Sequence, residues 1–197
     1  MTQSAEFFFD VGSPASYLAW TQLPTLCAQA GANLVYRPML LGGVFQATGN
    51  ASPAMVPAKG LYMAHDLARF AQRYGVAFRM NPHFPVNTLQ WMRGIVGMQL
   101  RDPARLETLL NAVFSALWVQ GANLNDATVS AATLLDAGFD PAEVHGLVND
   151  TDIKVALKAN TEEAVARGVF GAPTVFVDGV MYFGQDRLDF VREALAG

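Results

Sequence analysis

Ser13 stands in a turn whose residue types could hold an anion. The turn, Gly12-Ser13-Pro14, follows an apolar run and precedes a predicted helix. Serine is a favoured N-cap, and proline suits the first helical position. A helix N-terminus has unpaired N–H groups and a partial positive charge, so it favours an anion such as a thiolate. The hydroxyl could donate to a sulfur anion, although a simple N-cap explains the serine from this turn alone.

Two later segments carry further polar candidates. Pro173 opens a predicted strand, where it is either an ordinary strand-initiating proline or a cis-proline that sets the backbone of Ala172 to pair with a peptide-like ligand. The segment Gln185-Asp186-Arg187 opens the last predicted helix. Asp186 could be its N-cap and Arg187 a solvated charge. Alternatively, the two could bind a zwitterion, with Arg187 pairing a carboxylate and Asp186 an amino group.

Metal and disulfide chemistry have little support in the sequence. The three histidines, His65, His83 and His145, lie far apart and show no metal-ligand spacing, so we predict no metal site. Cys27 is the single cysteine, which excludes an internal disulfide and any CxxC redox pair. We interpret Cys27 as a small buried hydrophobic residue of the first helix.

Composition predicts a globular protein with a real core. Of the 197 residues, 52% are apolar and 15% are charged, which is too apolar for a disordered chain. The net charge is −4 and no basic run occurs, so a nucleic-acid surface is not expected. No apolar stretch reaches the ~18 residues of a membrane helix. The N-terminus lacks the basic region of a secretory signal, which favours a cytoplasmic location.

The first and last parts of the chain read as a sheet with flanking helices. Residues 6–11 predict a buried strand, a helix follows up to Gly31, and residues 33–40 predict a second strand. Pro24 should kink or split that helix. Near the other end, residues 173–178 and the run Val180 to Phe183 predict a hairpin through Asp178-Gly179, and an amphipathic helix follows.

The middle of the chain predicts helices. Apolar residues after Asp102-Pro103 recur at the spacing of one helical face, and the same Asp-Pro start signal returns at Asp140-Pro141. Residues 59–74 predict another helix, and Asn125-Asp126 and Asp150-Thr151 offer two more starts. The order is that of an α/β thioredoxin-like fold with a large all-helical insertion. We therefore divide the chain into a discontinuous thioredoxin-like domain, 1–43 and 165–197, and a helical insertion domain, 44–164.

Four segments together carry a family resemblance that spans nearly the whole chain. With them, the chain resembles the 2-hydroxychromene-2-carboxylate isomerases, in the group of DsbA-like proteins and kappa-class glutathione transferases. The last segment, in which GAPT precedes FGQDRL, is the most specific. The matching segments are FFFDVGSPASYLAW (7–20), LLGGVFQATGN (40–50), PAKGLYMAHDLARFA (57–71) with NPHFPVNTLQWMRG (81–94), and GVFGAPTVFVDGVMYFGQDRLDFV (168–191).

The resemblance implies a glutathione site on the thioredoxin-like part. It implies that Ser13 contacts the glutathione sulfur and that Ala172, before a cis-Pro173, pairs with the cysteinyl unit. It also implies that the γ-glutamyl end is held by Gln185, Asp186 and Arg187.

The resemblance further places a substrate pocket beside that site. The positions implied there are Phe45, Asn50, Lys59 and Asn81. Related sequences often carry lysine at 45–46, where this chain has Phe45-Gln46, so the carboxylate substrate that binds can differ.

The resemblance implies an enzyme of naphthalene-type aromatic catabolism, a homodimer that acts on a small aromatic carboxylate. It would interconvert 2-hydroxychromene-2-carboxylate and trans-o-hydroxybenzylidenepyruvate, using glutathione as a recycled thiolate nucleophile. One alternative is a kappa-type glutathione transferase or peroxidase. Another, from a different class, is a non-catalytic thioredoxin-like binding protein. A disulfide oxidoreductase is disfavoured, because Ser13 stands at the nucleophile position and no second cysteine exists.

Overall fold

A four-stranded sheet lies at the centre of the fold. The computed structural model describes residues 2–196. The strands are β1 Ser4–Phe9, β2 Asn33–Pro38, β3 Thr174–Val177 and β4 Val180–Phe183, in the order β2-β1-β3-β4. β1 is parallel to β2, and β3 is antiparallel to β1 and β4. The ends of β1 and β2 and the start of β3 therefore share one edge of the sheet.

Helices connect the strands and fill a long insertion between β2 and β3. Helix α1, Pro14–Ala30, joins β1 to β2, and α9, Leu188–Ala196, follows β4. No helix within residues 2–196 is long and apolar enough to cross a membrane. The inserted helices are α2 Leu41–Thr48, α3 Pro57–Tyr74, α4 Leu89–Arg101, α5 Leu106–Ser115, α6 Ala127–Asp136, α7 Pro141–Asn149 and α8 Thr151–Ala166.

The alternation of β1 supplies two separate cores. Phe7 and Phe9 point to the face that carries α1, and they belong to a large core that continues into the helical insertion. Phe8 points to the opposite face, where it belongs to a smaller core with Met39 and Val44. This alternation is the two-residue period of a strand that is buried on both faces. The thioredoxin-like fold with a large helical insertion is confirmed.

Some predicted boundaries differ from the structure. β1 begins and ends two residues before the predicted 6–11, and α1 runs unbroken through Pro24, so the predicted split does not occur. Neither α2 nor α4 is predicted from the sequence pattern. The domain boundaries at 43/44 and 164/165 fall inside α2 and α8, so the division itself stays a prediction.

Candidate active site

Ser13 begins α1 and reaches across to the segment before β3. Its Oγ accepts a hydrogen bond from the Ser16 N–H at 3.1 Å, and Pro14 occupies the first turn of the helix. The predicted N-cap is therefore confirmed. The same Oγ donates to the Ala172 carbonyl at 3.0 Å. Ser13 is 5% exposed, so its side chain is buried at the start of α1.

The turn before Ser13 is fixed from several directions. The Ser13 N–H donates to the Asp10 carbonyl at 3.0 Å, which closes the turn. Trp118 Nε1 donates to the Val11 carbonyl at 2.8 Å, and the Val11 N–H lies 3.4 Å from Met92 Sδ. Because both polar groups of Val11 have partners in the helical insertion, the turn is held between the two parts of the fold.

Asp10 is a site residue that the sequence analysis does not identify. Its carboxylate accepts from the Gly12 N–H at 2.9 Å, the Leu41 N–H at 2.9 Å and the Thr88 hydroxyl at 3.1 Å. Burial raises the pKa of the Asp10 carboxyl, and these three hydrogen bonds oppose the rise. An acid that closes the apolar run EFFFD, just before the turn, is the signal that could have found it.

The segment before β3 presents its backbone to Ser13. The Ala172-Pro173 peptide bond is cis, which confirms the expectation for Pro173. The Thr174 hydroxyl donates to the Gly171 carbonyl at 2.9 Å, and the Gly184 N–H donates to the Pro173 carbonyl at 2.9 Å. The second of these bonds places the loop after β4 directly beside the Ala172-Pro173 bond.

The loop after β4 holds Asp186 and Arg187, two of the predicted site residues, as an ion pair. Arg187 Nη1 lies 2.6 Å from Asp186 Oδ2, and both side chains are partly exposed. Gln185 is buried, and its carbonyl accepts from the Tyr74 hydroxyl at 2.6 Å. Burial raises the pKa of Tyr74 to about 12, so the phenol remains a donor at neutral pH. The loop therefore has a fixed backbone and a charged, accessible rim.

Three of the predicted substrate residues lie on segments of the insertion near its start. Asn50 Nδ2 donates to the Phe170 carbonyl at 2.8 Å, which ties the end of α2 to the segment before Ala172. Phe45 is half-buried on α2, and Lys59 is exposed in the first turn of α3. The structure thus links Asn50 to the Ser13 side of the molecule, while Phe45 and Lys59 remain predictions.

Asn81 is held inside the insertion. Its amide donates to the carbonyls of Leu117 at 3.0 Å and Ala122 at 2.9 Å, and its oxygen accepts from the His83 N–H at 2.8 Å. It is 3% exposed. Within residues 2–196, no hydrogen bond joins Asn81 to the Ser13 turn, and its role toward substrate stays a prediction.

Other reactive groups lie away from this site or are absent from the described part. Across residues 2–196, no cluster of three or more His, Cys, Asp or Glu side chains could hold a metal ion. Cys27 is buried in α1, and burial raises the pKa of its thiol to about 11. It is therefore a neutral packing residue at physiological pH.

The arrangement suits the stabilisation of an anion beside a peptide-like chain. The start of α1 supplies the positive end of a helix dipole. Ser13 Oγ, which here donates to the Ala172 carbonyl, is a hydroxyl that could donate to an anion, and the Ala172 carbonyl could then accept from a ligand N–H. Asp186 and Arg187 supply one charge of each sign at the exposed rim, which matches a zwitterionic end group.

Comparison with known proteins identifies the family of this chain. A family model described as the DSBA-like thioredoxin domain matches residues 5–196. A 2-hydroxychromene-2-carboxylate isomerase from Sphingobium xenophagum is 31% identical, over 99% of each chain. Glutathione S-transferase kappa 1 from Homo sapiens is 29% identical, over 99% of this chain and 92% of its own.

A solved structure supports the same relationship. The structure of a 2-hydroxychromene-2-carboxylate isomerase has a TM-score of 0.83 at 28% identity, and it covers 98% of this chain and 94% of its own. The similar proteins are named as isomerases and glutathione transferases, which supports the expectation that this chain is an enzyme. The chain belongs to the DSBA-like thioredoxin domain family, in the group that contains the 2-hydroxychromene-2-carboxylate isomerases and the kappa-class glutathione transferases.

Proposed function

We propose that this protein is a glutathione-dependent isomerase that interconverts 2-hydroxychromene-2-carboxylate and trans-o-hydroxybenzylidenepyruvate in aromatic catabolism. The observation that carries the proposal is the 3.0 Å contact between Ser13 Oγ and the Ala172 carbonyl at the start of α1. It brings a helix N-terminus, a hydroxyl donor and a strand-like backbone edge to one point. The 31% identity to a named isomerase over the full chain supports the choice of reaction.

The residues around this point fit glutathione. The Ala172 carbonyl would accept from the cysteinyl N–H, and the Ser13 hydroxyl would then donate to the sulfur. Arg187 would pair with the γ-glutamyl carboxylate and Asp186 with its amino group, which requires their 2.6 Å pair to open. Phe45, Asn50 and Lys59 would line the substrate side, and Asn81 would brace its wall from within.

When bound, glutathione supplies a thiolate that adds to the conjugated enone, so that the former double bond rotates before elimination. The task of this chain is to keep the sulfur ionised. A free thiol of pKa ~8.5 is only a few per cent ionised at pH 7. Lowering that pKa by about two units corresponds to roughly 2.7 kcal/mol.

The helix N-terminus and the Ser13 hydroxyl together contribute a free energy of about that size. A helix N-terminus contributes typically ~0.3–1 kcal/mol to an adjacent anion, and up to ~2 when partly buried. A hydrogen bond to a charged partner contributes about 1.5–3 kcal/mol. The helix at its usual strength and the weaker hydrogen bonds each fall short of roughly 2.7 kcal/mol, so we expect the helix and the hydroxyl to act together.

The direct test is an absorbance assay of purified protein with 2-hydroxychromene-2-carboxylate, with and without glutathione. We expect conversion that depends on glutathione and leaves the concentration of free thiol unchanged. Conversion at an equal rate without glutathione, or no conversion with it, would contradict the isomerase proposal.

A kappa-type glutathione transferase or peroxidase is the second candidate, favoured by the 29% identity to the human kappa enzyme. It uses the same thiolate but consumes glutathione stoichiometrically, so the thiol count in the same assay separates the two. A non-catalytic binding protein, by contrast, would leave the bound thiol un-ionised. The homodimer expected from the resemblance is also proposed, and sedimentation velocity would test it.

A further inference from the structure

We propose that Asp10 is a positioning residue that fixes the Ser13 turn by fastening it to the starts of α2 and α4. The inference rests on the proposed function and deepens it, because it names what holds the hydroxyl at the sulfur. Asp10 touches neither substrate nor glutathione in this proposal. It acts through three segments that meet at its carboxylate.

Asp10 replaces a missing cap on α2. The N-cap position of α2 is Leu40, whose side chain makes no capping hydrogen bond. The Leu41 N–H donates instead to Asp10 Oδ2 at 2.9 Å, across 31 positions of sequence. The first turn of α2 is thereby joined to the end of β1, and a carboxylate at a helix N-terminus also stabilises the helix.

Asp10 also accepts a hydrogen bond from Thr88, whose hydroxyl could otherwise cap α4. Thr88 occupies the N-cap position of α4, yet its side chain does not cap that helix. It donates to Asp10 Oδ2 at 3.1 Å. Packing at this point is close, because a Cβ added at Gly12 would lie 2.7 Å from Thr88 Cγ2. Displacement of Thr88 would therefore leave space directly behind the Ser13 turn.

The third bond closes the turn itself. Asp10 Oδ1 accepts from the Gly12 N–H at 2.9 Å, while the Asp10 carbonyl accepts from the Ser13 N–H. Within residues 2–196, Asp10 has no cationic partner, since the groups on its carboxylate are two backbone amides and one hydroxyl. A lone negative charge so near the turn would oppose a thiolate. The benefit of Asp10 to the reaction must therefore be geometric.

The sharpest variant is Thr88→Val, which keeps the shape of the side chain and removes only its hydroxyl. We expect the thiol of bound glutathione, titrated by its thiolate absorbance, to have a pKa higher by about half a unit or more. The kcat should fall about 10-fold, with the KM for glutathione within about 2-fold, because misplacement of a catalytic group costs rate rather than binding. Hydrogen exchange at the Gly12 and Leu41 amides should become faster.

Two controls separate positioning from a general loss of stability. Thr88→Ser retains the hydroxyl and should restore the thiol pKa and the kcat. Thr133→Val removes a hydroxyl that donates to the Val129 carbonyl within α6, remote from the turn. It should leave the thiol pKa and the kcat unchanged. If Thr88→Val behaves like Thr133→Val, the proposal is overturned.

Asp10→Asn separates positioning from an effect of charge, because the two explanations predict opposite changes in the pKa of the bound thiol. If Asp10 acted only through its charge, removal of that charge would lower the thiol pKa. If it positions the turn, the pKa rises in spite of the lost charge, since one of the three donors then faces an amide NH₂. A lowered pKa would overturn the proposal.

Should the wild-type protein form no thiolate with glutathione at all, the proposed function fails. Should the wild type form it and Thr88→Val leave it unaltered, only the role of Asp10 fails.

Discussion

Ser13 caps α1 in this structure and is proposed to donate to the glutathione sulfur, and truncation of its side chain removes both interactions. Ser13→Ala removes the hydroxyl that would donate to the glutathione sulfur, and it also removes the N-cap of α1. We expect the pKa of the bound thiol to rise by about 1–2 units, which is the equivalent of one charge-assisted hydrogen bond. Affinity for glutathione should change little, because Ala172 and the 185–187 loop remain. Thiolate titration and calorimetry measure the two quantities.

The stability cost of that change needs its own control. Loss of an N-cap lowers the free energy of unfolding by about 0.5–2 kcal/mol. Asp126→Ala removes the N-cap of α6, which accepts from the Thr128 and Val129 N–H groups, far from the turn. It should cost similar stability without moving the thiol pKa. An unmoved pKa in Ser13→Ala would remove Ser13 from the mechanism.

Arg187 lies at the opposite end of the proposed glutathione site. Arg187→Ala removes the guanidinium that would pair with the γ-glutamyl carboxylate, so we expect glutathione to bind about 10-fold more weakly. The pKa of the bound thiol should not change. Arg192→Ala, which removes an exposed arginine paired with Asp189 in α9, is the matched control. Equal calorimetric affinities for the two variants would refute the assignment of Arg187.

The family resemblance assigns Ser13, Ala172 and residues 185–187 to the site from the sequence, but it misses residues that only folding brings together. Ser13 and Ala172 are 159 positions apart, and the resemblance assigns both to one glutathione site, but the hydrogen bond between them is not predicted from the sequence. Asp10 and Thr88 were not identified. An acid after a strand and a threonine before a helix each have an ordinary local explanation. Their 3.1 Å contact depends on how the insertion packs against the sheet.

Helix α4 depends on glycines to lie close to its neighbours. A Cβ added at Gly97 would lie 2.8 Å from both Leu147 Cβ and Ile153 Cδ1. Leu147 Cβ is fixed to its backbone, so α7 must move. We expect Gly97→Ala to lower the free energy of unfolding by about 1–3 kcal/mol, in spite of the better helix propensity of alanine.

Gly146 provides the matched comparison within α7. It is exposed, and a Cβ there meets nothing within 4 Å. Gly146→Ala should raise the free energy of unfolding by up to about 1 kcal/mol, because only the propensity term remains. Urea unfolding of both variants measures the difference. Stabilisation by Gly97→Ala would show that α4 and α7 are not tightly packed at this point.

The same packing explains why α2 and α4 were missed while the later helices were found. Helices α6, α7 and α8 begin at Asp126, Asp140 and Asp150, and each aspartate caps its own helix. These are local signals that the sequence displays. By contrast, α2 has no capping residue next to it in the sequence and opens with Leu41 and two glycines, and α4 is buried on several sides. Tertiary contacts stabilise both, and a local pattern cannot show them.

An ion pair on the face of the sheet opposite α1 also joins β1 to the segment that follows α8. Glu6 of β1 makes two hydrogen bonds with Arg167, at 2.7 and 2.9 Å, just beyond the end of α8. The Arg167 guanidinium lies 4.0 Å from the centre of the Phe176 ring, and it also contacts Glu163. A strand, an inserted helix and the C-terminal hairpin thus meet at one ion pair.

This ion pair should make the stability of the protein depend on acid. Hydrogen bonding from Arg167 lowers the pKa of Glu6 in the folded protein, although burial opposes the shift. A carboxyl group whose folded pKa is lowered contributes stability above its unfolded pKa, ~4.3, and the contribution is lost as the pH falls through the folded value. Glu6→Gln should therefore cost about 1 kcal/mol at pH 7, since the pair is partly exposed.

The difference between Glu6→Gln and the wild type should shrink as the pH falls through the lowered pKa of Glu6, because both then carry a neutral side chain. Glu162→Gln is the control, because Glu162 forms an exposed pair with Lys158 within α8 at 3.3 Å. Such pairs contribute about 0.3–0.5 kcal/mol, and they do not connect separate elements. Urea unfolding from pH 3 to 7 measures both variants. If the cost of Glu6→Gln were constant across that range, the charge on Glu6 would contribute nothing, and the cost would come from the packing of the side chain.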